Sequence, residues 1–118
     1  MTDAGQTAHL ARGSRRDLRV FPALARRLAG FQLRRVQHGL DPDDWKPMPT
    51  VGPGVREIRI HIAGAHRVFH VATRAEAIYV LHAFEKKTQK TSAHDLRVGR
   101  DRFRALGKLK QHGKEARG

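Results

Sequence analysis

The chain has 118 residues, with 24 Lys and Arg against 11 Asp and Glu, and a net charge of +13 with histidine neutral. One domain fits that length and two sizeable cores do not. No apolar run approaches the roughly 20 residues of a membrane helix. The first residues lack the apolar stretch of a secretion signal, and the lack of cysteine excludes disulfide scaffolds, thiolate zinc sites, iron–sulfur clusters and thiol catalysis. A cytoplasmic location without membrane association is expected.

The charge exceeds the magnitude of roughly 2–8 that solubility asks of a small domain. RNA or DNA is the expected partner, because Lys and Arg neutralise phosphates and release counterions. An acidic protein partner is compatible with the same charge. An anionic membrane would need a basic amphipathic helix with an exposed apolar face, or a lipidation site, and neither is evident in the sequence.

Residues 1–13 read as a loose arm with a short edge strand near His9–Ala11. Ser14 is expected to cap a short helical turn through Asp17, Leu18 and Val20. Phe21–Pro22 opens a longer helix to His38, since proline suits the first helical position. Leu24, Leu28 and Phe31 share one stripe of that helix, and Ala25, Ala29, Leu33 and Val36 widen it. Gly39 stops it. Residues 40–54, LDPDDWKPMPTVGPG, contain four prolines and two glycines and are expected to be a loop anchored by Trp45.

Three strands follow. Val55–Ile62 alternates, with Ile58, Ile60 and Ile62 on one face and Glu57, Arg59 and His61 on the other. Ala63–Gly64–Ala65 is a hairpin turn. His66–Thr73 is the return strand and Arg74–Ala75–Glu76 a second turn. Ala77–Phe84 is almost continuously apolar, as in a central strand covered on both sides. It is a candidate to pair with the N-terminal arm. After the basic loop Glu85–Thr91, Ser92 and Asp95 form an acidic variant of the capping box. The helix Ala93–Leu106 carries Leu96, Gly99, Phe103 and Leu106 on one stripe, and Gly107 is expected to end it. Residues 107–118 read as a basic tail. The fold class is thus α+β: a mainly antiparallel sheet of three or four strands, with N-terminal helices and a C-terminal helix packed on it. A single domain spans residues 14–106.

The candidate chemistry lies on the strands and the loop after them. Arg56, Arg59, Arg67, Lys86, Lys87 and Lys90 form a basic cluster able to hold phosphates and stabilise the added negative charge of a phosphoryl-transfer transition state. Glu57 is either a general base or a salt-bridge partner of Arg59 or Arg67. His61, His70 and His82 fall on three consecutive strands. They could supply a metal site or an acid–base pair; a single catalytic histidine is the better expectation than convergence on a metal, and His82, inside the most apolar strand, reads as a hydrogen-bonded core residue. Asp41, Asp43 and Asp44 lack the spacing of a calcium loop. No metal or cofactor is expected.

The segments WKPMPTVGPGVREIRI, HRVFHVA and AIYVLHAFEKKTQKTSAHDLRVGRDRFRAL, with the helix FPALARRLAGFQLRRVQHGL, closely resemble the HigB-like, phage-derived branch of the RelE/ParE toxin superfamily. The resemblance covers residues 14–106. It implies a compact α+β domain with helices on one face of a small, mainly antiparallel sheet. It also implies the toxin of a type II toxin–antitoxin module, a metal-independent endoribonuclease cleaving mRNA on the ribosome, with the RNA 2′-hydroxyl as nucleophile. A cognate antitoxin, of helix-turn-helix type, would be its partner. By position, Arg56, Arg59, Arg67, Lys86 and Lys87 match the family's basic residues. The arginines would bind phosphate, and one lysine or Glu57 would assist proton transfer. Two alternatives stay open: a ParE-like toxin acting on DNA gyrase, and a basic nucleic-acid-binding protein without catalysis.

Overall fold

The computed structural model of the chain describes residues 7–73 and 77–117. Its elements are β1 (Thr7–Leu10), α1 (Ser14–Val20), α2 (Ala23–Gln37), β2 (Trp45–Pro47), β3 (Val55–His61), β4 (Ala65–Thr73), β5 (Ala77–Glu85) and α3 (Ala93–Arg117). One sheet orders the strands β1-β5-β4-β3-β2. The class is α+β, but among the described residues the sheet has five strands rather than three or four, and it is mixed. β3, β4 and β5 form the expected antiparallel meander. β1 runs parallel to β5, with Thr7 opposite Ala77 and Leu10 opposite Val80. The turn Arg74–Ala75–Glu76 lies outside the described residues.

The proline-rich segment corrects the expectation of an unbroken loop. Trp45 pairs with Ile58 and Pro47 with Arg56, making β2 an antiparallel edge strand. Proline is tolerated there because an edge strand has a neighbour on one side only. Met48 and Val51 then turn back into the core.

The helices cover both faces of the sheet, not one. Phe21, Ala25, Ala29 and Leu33 pack on Ile58, Ile60, Val68 and Val80. On the opposite face Leu96, Phe103 and Leu106 of α3 join Val55, Phe69, Val71, Leu81 and Phe84. The reason is legible in β5, whose side chains are apolar on both sides. Gly99 sets the approach of α3: a Cβ there would lie 2.9 Å from the Phe69 ring.

Three helix expectations need correction. Leu24, Leu28 and Phe31 do not face the core. Leu24 is 54% exposed and Phe31 53%, while Ala25, Ala29, Gln32, Leu33 and Val36 are buried. The helix is turned by about one residue position, roughly 100°, so that alanines meet the sheet and α2 can lie close to it. Ser14 does not cap α1 but begins it, behind Gly13. Its Oγ lies 2.6 Å from the Ala11 carbonyl oxygen and 2.9 Å from that of Val80, tying α1 to β5. Finally, α3 does not stop at Gly107 but runs on to Arg117. A side chain at Gly107 would meet open space, so that glycine costs the helix only its propensity, about 1 kcal/mol relative to alanine. The capping box at the start of α3 forms as expected: the Asp95 N–H donates to Ser92 Oγ at 3.0 Å, and Ser92 Oγ donates to Asp95 Oδ2 at 2.7 Å.

His70 on β4 is buried, and its Nδ1 has no hydrogen-bond partner among the described residues. Burial, and secondarily the Arg56 guanidinium on the paired strand, lower its pKa from 6.5 to about 4. The unfolded chain therefore takes up this proton first as pH falls below 6.5. His70 leaves stability intact above pH 6.5 and lowers it progressively toward pH 4, by on the order of 3 kcal/mol at most. Urea denaturation across that range should show the loss, and a His70→Leu variant should show a shallower pH dependence.

Candidate active site

Strand alternation places Glu57 and Arg59 of β3 on the face that α3 covers. Register then builds two cross-strand rows. Lys46 of β2 stands opposite Glu57, Glu57 opposite Phe69, and Phe69 opposite His82. In the next row Arg59 stands opposite Arg67, and Arg67 opposite Phe84. Lys86 follows Phe84 by two residues, and its backbone N–H donates to the Ala65 carbonyl at 2.7 Å, so it continues the same face one row further on, just beyond the end of β5.

Glu57 is 0% exposed. Neither carboxyl oxygen has a hydrogen-bond partner among the described residues. Instead Oε1 lies 3.5 Å from Arg59 Nε and 3.6 Å from Arg67 Nε. A buried carboxylate without water needs positive charge beside it, and the two guanidinium groups supply it. Arg67 is itself 6% exposed, and its Nη1 donates to the His66 carbonyl at 3.1 Å. Arg59 is partly open and also approaches Asp44 Oδ1 at 3.8 Å.

Lys86 is the half-buried member of this group. Its pKa is lowered from the ordinary lysine value, first by desolvation and then by Arg67. Glu57 acts in the opposite direction, and Lys46 and Arg59 add to the lowering. Crowding a lysine among cations favours its neutral amine, the form that accepts a proton. Lys87 and Lys90 are exposed in the loop that follows, and the Thr88 hydroxyl donates to the Lys90 carbonyl at 2.6 Å.

The structure therefore brings together Glu57, Arg59, Arg67 and Lys86, with Lys87 and Lys90 on the adjoining loop. Arg56 is not among them. Alternation puts it on the other face, where it pairs with Asp41 at 3.1 Å and lies 4.2 Å over the Trp45 ring. The three histidines do not converge. His61 meets Asp44 at 2.8 Å in an exposed position, and His70 is in the core. His82 sits between two carboxylates, with Nε2 2.8 Å from Asp95 and Nδ1 3.2 Å from Asp17. Among the described residues no group of three His, Asp or Glu is placed to hold a metal ion. No helix among them is long and apolar enough to cross a membrane. Lys46 was hidden from sequence reasoning because its segment did not read as a strand. Only the pairing of β2 with β3 sets it opposite Glu57.

Residues 16–104 match the family described as phage-derived protein Gp49-like (DUF891). The chain belongs to this family. The Gp49-like match runs from α1 into α3 and includes every residue of the site just described. The family is toxin-like. No curated protein matches the chain.

Removing Arg67 leaves Glu57 buried with less compensation. Arg67→Ala should therefore lower stability by about 3 kcal/mol or more. Lys86→Ala, at a partly open position without an ion pair among the described residues, should stay within roughly 0.5 kcal/mol of the parent. Urea unfolding of the two variants checks the contrast.

Proposed function

We propose that this Gp49-like protein is the toxin of a toxin–antitoxin module and acts as an endoribonuclease on mRNA, with the ribosome as its working site. The observation that carries the reading is the cluster itself: Lys86 stands on the sheet face where a buried carboxylate holds two arginines, and its pKa is lowered there. The membership of a toxin-like, phage-derived family supports it.

The chemistry follows from those groups. Lys86, in its unprotonated fraction, takes the proton from a ribose 2′-hydroxyl as O2′ attacks the adjacent phosphorus. The phosphorus gains a bond and the non-bridging oxygens gain negative charge. Arg59, with Arg67 behind it, stabilises that charge through preorganised guanidinium groups. The P–O5′ bond breaks and O5′ takes a proton from solvent. The products are a 2′,3′-cyclic phosphate and a 5′-hydroxyl. Lys87 and Lys90 hold neighbouring phosphates. Glu57, without exposed surface, positions the arginines and does not itself meet the RNA. A cognate antitoxin of helix-turn-helix type, with acidic residues facing this basic surface, would silence the protein.

Inducing the protein and its Lys86→Ala/Lys87→Ala variant from a tightly repressed promoter, then mapping transcript 5′ ends, tests this reading. Growth arrest with new ends inside coding regions is expected, both lost in the variant. Arrest with intact transcripts would move the target to DNA gyrase or another macromolecule. No arrest at confirmed expression would leave a nucleic-acid-binding protein without catalysis.

A further inference from the structure

A second basic surface lies at the other side of β5, where the chain leaves β1 and enters α1. Arg12, Arg15, Arg16, Arg19 and Arg102 surround a concavity of about 680 Å³, with Gly13 and Asp17 completing its lining. None of these arginines belongs to the site built on Glu57.

The floor of the concavity is built. Arg102 reaches in from α3, and its Nη1 donates to Asp17 Oδ2 at 2.7 Å and to the Leu81 carbonyl at 3.0 Å. Gly13 leaves the room for it: its φ is +92°, and a Cβ there would lie 2.5 Å from Arg102 Nη2. Among the described residues Asp17 is the only carboxylate lining the concavity. It is already engaged by Arg102 and faces His82 Nδ1 at 3.2 Å. Among the described residues no carboxylate is within ion-pair distance of Arg12, Arg15, Arg16 or Arg19, and all four are exposed. Arg15 and Arg19 are one helical turn apart and share a face.

Like charges converging on a hollow repel one another unless an anion fills it. Guanidinium forks match the paired oxygens of a phosphate. A recessed surface suits a chain that can enter it better than a flat one. We propose that this concavity is a second phosphate-binding site, taking the sugar–phosphate backbone of an RNA strand apart from the point of cleavage. The proposal rests on the reading of the protein as RNA-binding but not on catalysis. It gives the enzyme a second hold on its RNA, so that strand and active site are aligned by contacts on both sides of β5.

The test uses the full chain and a labelled single-stranded 2′-O-methyl oligoribonucleotide, which cannot be cut by a 2′-hydroxyl. Its affinity is measured by fluorescence anisotropy over a range of salt. An Arg15→Ala/Arg16→Ala/Arg19→Ala variant is compared with Arg27→Ala/Arg34→Ala/Arg97→Ala, which removes the same charge from other exposed positions. The first variant should bind about tenfold or more weakly. Its log–log salt slope should fall by about two, from some 0.7 per lost phosphate contact on a single strand. The control should change both much less. Equal losses in the two variants, or an unchanged affinity and slope in the first, overturn the proposal and leave the ribonuclease reading standing. A loss confined to vesicles of phosphatidylglycerol, with oligonucleotide binding intact, also overturns it and assigns the concavity to a membrane surface. Failure of the parent protein to bind the oligonucleotide at any salt overturns the RNA-binding reading itself and the proposal with it.

Discussion

The interaction on which most of this structure turns is the burial of Glu57 between Arg59 and Arg67. A carboxylate at a fully enclosed position on a sheet face is expensive to desolvate. It persists because two guanidinium groups approach one oxygen at 3.5 and 3.6 Å. That demand fixes the register of β3 against β4, since a one-residue slip would carry Glu57 to the opposite face and away from Arg67. It also explains a basic site anchored in the sheet rather than a fringe of solvated charge. Arg67 is buried in the core and Arg59 is half-open. Lys86 is left as the cation that repulsion and desolvation push toward its neutral form.

A second buried group joins the layers. His82 on β5 stands between Asp17 of α1 and Asp95 of α3. Arg102 completes the set by pairing with Asp17. The same Asp95 closes the capping box with Ser92. One node therefore anchors the start of α3, the position of α1 and the centre of β5. Both basic surfaces border it: Lys86 follows β5 directly, and the arginine-lined concavity begins at Asp17 and Arg102. Their relative placement is tied to these ion pairs and hydrogen bonds.

Much of this was open to reading in the residues. The alternation of Ile58 and Ile60 against Glu57 and Arg59 assigned faces correctly, and the apolar run of β5 announced a strand covered on both sides. The Ser92–Asp95 pair marked the start of α3. His82 read as a bonded core residue and is one. What escaped reading depended on distant partners. β2 exists only because β3 offers it an edge, and proline content argued locally against it. The orientation of α2 is not legible from its residues because its leucines and Phe31 outweigh its alanines by hydrophobicity, whereas close packing on the sheet selects Ala25 and Ala29. The continuation of α3 past Gly107 was masked by a residue that usually ends helices. In the site, alternation alone should have separated Arg56 from Arg59. The arginine-lined concavity could not be foreseen, because Arg102 reaches it across 85 residues of chain from Asp17.

The central proposal is that arginine and lysine side chains on this sheet direct a ribose 2′-hydroxyl against its own phosphodiester. The most direct measurement is the end chemistry of ribosome-bound mRNA after treatment with the purified protein, using transcripts with and without a 2′-deoxy substitution at the cut position. Fragments ending in a 2′,3′-cyclic phosphate and beginning with a 5′-hydroxyl, with scission abolished by the substitution, are the predicted result. Intact RNA, 5′-phosphate ends, or undiminished cutting of the 2′-deoxy transcript would contradict it.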